Sequence, residues 1–414
     1  MAIQRRSAAL GFIFTTLLLD TIGFGLVIPV FPKLIQQLEH CDLSKASQYG
    51  GLLATCYAIM QFLFAPVLGN LSDRFGRRPV LLFSLLGFGL DYMFQGLAPS
   101  LGWLFVGRLI AGVTGASFTT ASAYIADIST PENRAQNFGM IGVAFGLGFI
   151  IGPSLGGLLG GMGLRLPFFV AAGFSLLNTL FGYFVLPESL PPEKRRPFEW
   201  KRANPLGTLL AVRRYPSLAG LFVSVIFLYM AAHAVQTTWP YYNMEKFKWT
   251  TAQVGFSLTV VGFLIALVQG VLIRPIIPRL GPQRSVYTGI ILYTIGYVLF
   301  AFAFKGWMMY AILVPYCLGG IAGPALQSLL SGHVPANEQG ELQGLLTSLM
   351  SLTSVFGPLL MTGLFAYYTR PNGSLYFPGA PFLAGAIFLG CSLVTAYLTL
   401  RGERTPGPAT SQGL

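Results

Sequence analysis

The chain has 414 residues, of which 54% are hydrophobic and 10% are charged, and its formal net charge is +12. An average soluble domain carries about 25% charged residues, so this chain has too little polar surface for water. The composition therefore excludes an ordinary soluble protein and indicates that most of the chain lies in lipid.

Apolar stretches long enough to cross a membrane recur about twelve times along the chain. A spanning helix needs about 20 mostly apolar residues. The runs are long and lack the alternation of barrel strands, so we expect helices. The first run contains Asp20, and no small-residue cleavage site follows it, so we interpret it as a retained span and not a signal peptide. The predicted spans cover residues 8–31, 49–69, 79–98, 101–126, 137–160, 165–186, 216–240, 251–273, 285–304, 307–331, 341–365 and 379–400.

Basic residues are distributed unequally between the two sides of this twelve-span arrangement. The side that holds both termini receives most of them, including those of the loop after span 2 and of the polar stretch after span 6. The other side receives only Lys33, Lys45, Arg165, Lys246, Lys248, Lys305 and Arg370. The positive-inside rule places the basic side, with both termini, in the cytoplasm. The net charge is therefore a topology signal, and we expect no nucleic-acid partner.

Cysteines and histidines do not form a recognisable site. They show neither CxxC spacing nor a disulfide framework, and the histidines are too dispersed for a metal cage. We therefore expect no metal and no cofactor. The residues in question are Cys41, Cys56, Cys317, Cys391, His40, His233 and His333.

The sequence repeats itself at an offset of about 205 residues. The stretch GWLFVGRLIAGVTGA from Gly102 aligns with GWMMYAILVPYCLGG from Gly306. Six helices are thus followed by six related helices. We predict a first bundle at 1–187, a cytoplasmic linker at 188–215, a second bundle at 216–400 and a cytoplasmic tail at 401–414.

Two six-helix halves joined by a cytoplasmic linker resemble the major facilitator superfamily. This resemblance implies a substrate site between the halves near the bilayer midplane. A membrane enzyme is the alternative, but the sequence has no HExxH motif, no GxSxG motif and no ligand cluster in a span. We therefore expect a transporter and not an enzyme.

The stretch GNLSDRFGRRPV, residues 69–80, concentrates charge between spans 2 and 3. Glycines there permit close helix approach and a tight reversal, and an acid near a helix end can pair with arginines and helix termini. We interpret this loop as a latch that holds the two halves together in the outward-facing state; the alternative is a simple topology anchor. It resembles the superfamily signature G-x-x-x-D-R-x-G-R-R through Gly69, Asp73, Arg74, Gly76, Arg77 and Arg78.

Span 5 carries a second signature. Small residues let helices approach closely, and a proline bends a helix at a candidate hinge. The pattern G-x8-G-x3-G-P-x2-G-G resembles the one that marks antiporters, the export branch of the superfamily; ordinary small-residue packing is the alternative. The matching residues are Gly139, Gly148, Gly152, Pro153, Gly156 and Gly157.

Charged side chains lie well inside the predicted spans at Asp20, Asp91 and Arg108. Each would cost about 2.5–3.5 kcal/mol unpaired, so they face a cavity, pair with each other, or do both. The short connector between spans 3 and 4 brings Asp91 and Arg108 to one side of the membrane. A carboxylate held there can take up a proton on one side and release it on the other. A static ion pair is the alternative for Asp91 and Arg108, whereas for Asp20 we expect proton or substrate binding.

Uncharged polar residues in the spans provide further candidates. His233 in span 7 suits a pH switch, with a hydrogen-bonded structural histidine as the alternative. Six glutamines are candidates to bind a polar substrate across the cavity, or else to join helices to one another. They are Gln61, Gln95, Gln236, Gln269, Gln327 and Gln343.

From Asp20 to about Pro358 the chain is similar to the tetracycline/proton antiporter family. The stretches that carry this resemblance include APVLGNLSDRFGRRPVLL, GRLIAGVTGA, FGLGFIIGPSLGG and the first-helix pattern LLLDTIGFGLVIP. The resemblance implies that an acid in span 1, an acid in span 3 and an arginine in span 4 take part in proton exchange. Those positions are Asp20, Asp91 and Arg108.

The second half departs from the family pattern. The family's prototypes carry an acid in span 9 and a histidine in span 8, both tied to proton coupling and to metal–tetracycline handling. These positions hold Tyr293 and Ile265 here. The departure bears on which compound is carried and on how coupling works, and His233 is a candidate to compensate.

We therefore expect an all-α membrane protein with twelve helices in two pseudo-symmetric halves. Its expected function is proton-coupled export of small amphipathic compounds, with tetracycline-like drugs as candidates, from a monomer in the bacterial inner membrane. Substrate displaces a proton from Asp20 or Asp91, the halves rock outward, and reprotonation from outside resets the cycle. The alternative is an importer or uniporter of a small organic solute on the same scaffold.

Overall fold

The computed structural model describes residues 2–115, 117–130, 133–199, 210–335 and 338–402, which are α-helical apart from short turns and loops. Residues 200–209 of the predicted linker and 403–414 of the predicted tail lie outside the described residues. In chain order, the helices are α1 (Ala2–Val27), α2 (Phe31–Glu39), α3 (Leu43–Phe75), α4 (Arg77–Leu97), α5 (Leu101–Thr114), α6 (Ser117–Ile128), α7 (Arg134–Met162), α8 (Leu166–Val185), α9 (Ala219–Phe247), α10 (Thr251–Leu267), α11 (Ile273–Leu280), α12 (Pro282–Phe302), α13 (Gly306–Leu318), α14 (Ala322–Gly332), α15 (Gln339–Thr369) and α16 (Ala380–Gly402).

Twelve segments of the described chain are long and apolar enough to cross a membrane, which confirms the predicted number. Helices dominate because lipid offers no partner to a backbone amide or carbonyl group, so each span must satisfy its hydrogen bonds internally. In chain order, spans 1 to 12 are formed by α1, α3, α4, α5 with α6, α7, α8, α9, α10 with α11, α12, α13 with α14, α15, and α16.

Local sequence signals set the helix ends. The Asp42 carboxylate caps α3 by accepting the Lys45 backbone N–H at 2.7 Å. Thr250 and Gln253 form a capping box at the start of α10. The glycines that end α3 and α11 have positive φ angles, +107° at Gly76 and +76° at Gly281, and they occupy corresponding places in the two halves. The internal repeat is therefore visible in the backbone.

Irregular backbone interrupts two spans of the second half. Span 8 contains a π-helical turn at Val268–Leu272, and span 10 contains a 3-10 turn at Gly319–Ile321. In a membrane, such backbone is tolerated where it is buried in protein or lines a water-filled cavity. Both turns border the cavity described below.

The pattern of contacts between spans in the first half recurs in the second half, where each span number is higher by six. Span 1 packs against spans 5 and 6, and span 3 against spans 4 and 6. Span 7 likewise packs against spans 11 and 12, and span 9 against spans 10 and 12. Between the halves, the main contacts join span 2 to span 11 and span 5 to span 8. The two halves thus share one packing plan.

The contacts between the halves lie at one end of the bundle. We name the side where span 1 begins and span 12 ends the terminal side, and the opposite side the far side. On the far side, the hydroxyl of Ser44 in span 2 donates to the Ala366 carbonyl of span 11 at 2.7 Å. The hydroxyl of Thr251 at the start of span 8 donates to the Gly157 carbonyl near the end of span 5 at 3.2 Å. The far side is therefore closed.

On the terminal side, the faces of spans 2 and 5 that contact the second half on the far side are unpacked. Gly69 lies five turns, about 18 residues, beyond Gly51, whose Cα packs against Thr362 of span 11. Gly139 lies equally far before Gly157, where an added Cβ would meet the Thr251 carbonyl oxygen at 2.6 Å. A Cβ at Gly69 or Gly139 would meet no described atom within 4 Å. The described residues therefore leave the bundle open toward the terminal side.

Candidate functional site

Asp91 and Arg108 form an ion pair inside the first half. The Asp91 side chain is fully buried on span 3, and the Arg108 guanidinium on span 4 binds one of its oxygens. Gly107 leaves room for this carboxylate, because a Cβ there would lie 2.6 Å from Asp91 Oδ1. The pairing that the sequence offered as one alternative is thus present. Asp91 Oδ1 forms no hydrogen bond with a described residue, so the site retains a free acceptor.

Asp20 lies on span 1 without an ionic partner among the described residues. Both its carboxylate oxygens are buried; the carboxylate faces the Ser117 side chain, but neither oxygen forms a hydrogen bond of ordinary geometry with a described residue. An ionised carboxylate left unpaired in a membrane interior costs several kcal/mol, and taking up a proton removes that cost. This environment suits a group that exchanges protons.

Two tyrosines that the sequence analysis did not single out lie near these charges. Tyr57 and Tyr92 both lie within electrostatic range of Asp20, Asp91 and Arg108. The Arg108 guanidinium lies over the Tyr57 ring, 5.6 Å from its centroid. The signal was weak, since Tyr92 merely follows Asp91 in the chain.

The two first-half glutamines belong to this charged cluster. Gln61 donates to the Tyr57 hydroxyl at 3.1 Å and to the Gly115 carbonyl at 3.3 Å. Gln95 is fully buried one helical turn beyond Asp91. Neither lines the large cavity of the second half. Their predicted role in substrate binding stays a prediction.

The four second-half glutamines meet at a cavity of about 560 Å³. This cavity lies between spans 7 to 12. All four side chains are exposed to it, and Gln327 donates to Gln343 at 3.0 Å. A volume of this size accommodates a drug-sized ligand. The glutamines that line it are Gln236, Gln269, Gln327 and Gln343.

The two positions that depart from the family pattern also line this cavity. Tyr293 and Ile265 both form part of its wall. The Tyr293 ring lies across Gly319, where an added Cβ would meet ring atoms at 2.6–2.8 Å. The glycine in the 3-10 turn of span 10 therefore makes room for the tyrosine.

His233 is buried behind the cavity wall and is not part of the lining. Its side chain packs against Gly357 of span 11, where an added Cβ would lie 2.9 Å from His233 Cβ. The predicted role of His233 as a switch or substrate ligand stays a prediction.

The glycines of span 5 let it contact span 1 and span 8 together. A Cβ at Gly148 would lie 2.6 Å from Thr21, and one at Gly152 would lie 2.7 Å from the Ile22 carbonyl. Gly156 packs directly on the backbone of Leu26. Pro153 lies against Gly25 of span 1 and Gly255 of span 8. Span 5 thus joins the two halves through backbone contacts that larger residues would block.

Replacing Gly156 by alanine is expected to destabilise the protein by about 1–3 kcal/mol, because the new methyl group overlaps the Leu26 backbone, which cannot move aside cheaply. Thermal unfolding of the purified protein in detergent measures the effect. Gly139→Ala in the same signature is the matched control, since its Cβ points into open space. Equal melting temperatures for the two variants would contradict the packing described here.

The charged loop at residues 69–80 makes its polar contacts with the first half and with the linker that follows span 6. Arg77 pairs with Asp73 at 2.6 Å and with Asp127 at the end of span 4 at 3.1 Å. The polar partners found for Asp73, Arg77 and Arg78 among the described residues lie in spans 2–6 or in the linker, at Glu188 and Arg196. In this open state the loop is thus not engaged with the second half.

Glu188 is a partner of this loop that the sequence analysis missed. Its carboxylate accepts the backbone N–H of Arg77 at 2.8 Å and of Arg78 at 3.2 Å. It thereby caps α4, where an acid is favoured by the helix dipole. The only signal in the sequence was an acid directly after span 6, on the same side of the bundle.

Comparison with known proteins agrees with this architecture. The sequence profile of the Major Facilitator Superfamily matches residues 13–358 and 221–413. The chain is 43% identical over 389 residues to the tetracycline resistance protein, class C, of Escherichia coli, covering 94% of this chain and 96% of that protein. It is 40% identical over 370 residues to the class G protein of Vibrio anguillarum, covering 87% and 92%.

Solved structures show the same fold. The crystal structure of a human organic anion transporter superposes with a TM-score of 0.72 at 26% identity, covering 95% of this chain and 99% of that one. A bacterial homologue of the human lysosomal transporter Spinster gives a TM-score of 0.77 at 17% identity, covering 98% and 99%. These relatives are transporters and not enzymes, as expected for this chain. The chain belongs to the Major Facilitator Superfamily and, within it, to the family of the tetracycline resistance proteins.

Proposed function

We propose that this protein exports small amphipathic compounds, tetracycline-like drugs among them, in exchange for protons. The observation that carries the proposal is an isolated buried carboxylate, Asp20, near the Asp91–Arg108 pair in a chain that also holds a large open cavity. Intramembrane ionisable groups of this kind are typical of proton relays. The tetracycline resistance proteins, similar along nearly the whole chain, support export as the direction of transport.

The protein resides in the inner membrane of a bacterium as a monomer surrounded by lipid, with both termini in the cytoplasm. The excess of lysine and arginine on the terminal side supports this orientation. The open terminal side is then the cytoplasmic entrance, and the described state is inward-facing. Cytoplasmic drug reaches the cavity from this side.

In the proposed cycle, drug binding displaces a proton from Asp20 or Asp91, and Arg108 compensates the charge that remains. The halves, residues 1–187 and 216–400, then rock about the contacts of span 5 with span 8 and of span 2 with span 11. The loop at residues 69–80 engages the second half when the terminal side closes, and it is released in the inward-facing state. The cavity glutamines hydrogen-bond the drug, and His233 contributes to coupling from behind the wall.

Proton release on drug binding tests this function. Tetracycline added to the detergent-solubilised protein in weak buffer is expected to release protons, because exchange requires drug and proton to compete. A pH-sensitive dye measures the release. A symporter would take up protons instead, and a uniporter would leave the pH unchanged, so either result would favour the alternative function.

A further inference from the structure

The cavity wall of the second half carries no charge. Among the described residues that line it there is no aspartate, glutamate, histidine, lysine, arginine or cysteine. The intramembrane carboxylates Asp20 and Asp91 both belong to the first half, and Asp91 is already paired with Arg108. The described chain also contains no cluster of three or more side chains able to hold a metal ion.

Aromatic rings form one part of this wall. Tyr293 and Tyr316 meet at a centroid distance of 5.2 Å and an interplanar angle of 62°, and Tyr297 meets Tyr316 at 5.8 Å. The Tyr297 hydroxyl is used internally, because it donates to the Ala231 carbonyl at 2.7 Å. Tyr293 lines the cavity, and its hydroxyl has no hydrogen-bond partner among the described residues, so it is available to a ligand.

The carboxamide groups of four glutamines form the other part of the cavity wall. Gln327 and Gln343 bind each other, whereas Gln236 and Gln269 have no hydrogen-bond partner among the described residues. Gln269 lies in the π-helical turn of span 8. Turns of this type often occur at functional sites, where the extra residue redirects a side chain. The wall thus presents both donors and acceptors without charge.

We infer that this wall binds a neutral, planar aromatic compound through ring contacts and hydrogen bonds, and that it takes the compound free of divalent metal. Stacking on the tyrosines and hydrogen bonds to the amides and the Tyr293 hydroxyl suit such a ligand. A hard cation such as Mg²⁺ prefers carboxylate oxygens, and a charged complex would lose hydration here without gaining an ionic partner. The inference rests on the proposed function and narrows its substrate class.

Binding measurements on the full-length protein in detergent test this inference. The probe is tetracycline near neutral pH, where its ammonium and enolate charges cancel, in excess EDTA and in excess MgCl₂. Tetracycline is expected to bind in EDTA, and MgCl₂ should weaken that binding. This comparison needs no variant.

Variants at Tyr293 locate the effect on this wall. Tyr293→Phe should weaken binding about fivefold, since it removes one hydrogen bond. Tyr293→Asp should weaken binding in EDTA and reverse the preference, so that MgCl₂ now strengthens binding. Tyr287→Phe is the control on the same helix, because Tyr287 lies outside the lining and contacts Tyr397.

The outcomes separate this inference from the proposed function. Tighter binding of tetracycline in MgCl₂ than in EDTA, or no binding of tetracycline in EDTA, would overturn the inference. Unchanged binding in Tyr293→Phe would also contradict it. The proposed function is tested separately by proton release, so metal-dependent binding with proton release would reject the metal-free substrate while leaving the antiporter intact.

Discussion

Replacing Asp20 by asparagine is expected to reduce proton-driven transport to the level of vesicles without the protein. The amide has nearly the same shape as the carboxyl group but cannot bind and release a proton. Folding should be preserved, because both carboxylate oxygens are buried without a partner among the described residues, and a neutral group is cheaper there than a charge. Uptake of tetracycline into proteoliposomes under an imposed pH gradient measures the loss.

An exposed acid provides the matched control for Asp20→Asn. Glu193 lies on the surface in the segment after span 6, so Glu193→Gln should transport at the wild-type rate. Asp20→Asn should also accumulate in the membrane and unfold at the wild-type temperature or above. Wild-type transport by Asp20→Asn would show that the proton is carried elsewhere.

The twelve spans follow from hydropathy because lipid excludes backbone conformations that leave amide and carbonyl groups unpaired. A backbone in lipid must pair within its own helix, so long apolar runs predict spans without knowledge of tertiary contacts. The breaks inside spans 8 and 10 do not follow in this way. The π turn at Val268–Leu272 and the 3-10 turn at Gly319–Ile321 each lie inside a single apolar run that is long enough to span. Contacts such as that of Tyr293 with Gly319 are specified only by the packed fold.

The charged residues of the candidate site were predictable from the sequence, whereas the neutral ones were not. Unpaired charges in lipid are costly, so Asp20, Asp91 and Arg108 stand out in the sequence. The glutamines are neutral, and nothing local distinguishes Gln61, which binds Tyr57, from Gln269, which faces the cavity. Which glutamine faces the cavity depends on the rotation of each helix about its axis. Spans that are apolar on all faces leave that rotation to the packing of their neighbours.

Breaking the ion pair between Asp91 and Arg108 is expected to destabilise the protein by about 3–5 kcal/mol, because Asp91→Asn leaves a guanidinium buried without its counter-charge. Arg108→Gln should cost a similar amount, since the fully buried carboxylate then loses its partner. The double variant Asp91→Asn with Arg108→Gln should recover most of that stability, because no charge remains to be compensated. Thermal unfolding in detergent, analysed as a double-mutant cycle, measures the coupling.

Transport by the same variants separates a proton-exchanging pair from a static one. If the pair serves proton exchange, the double variant regains stability but not proton-driven uptake, which is the result we expect. A purely structural pair would regain both, and that outcome would remove Asp91 and Arg108 from the coupling mechanism. The control is the exposed pair of Arg214 with Glu341, 2.9 Å apart. Surface pairs of this kind contribute about 0–1 kcal/mol, so Arg214→Gln should leave both stability and transport close to wild type.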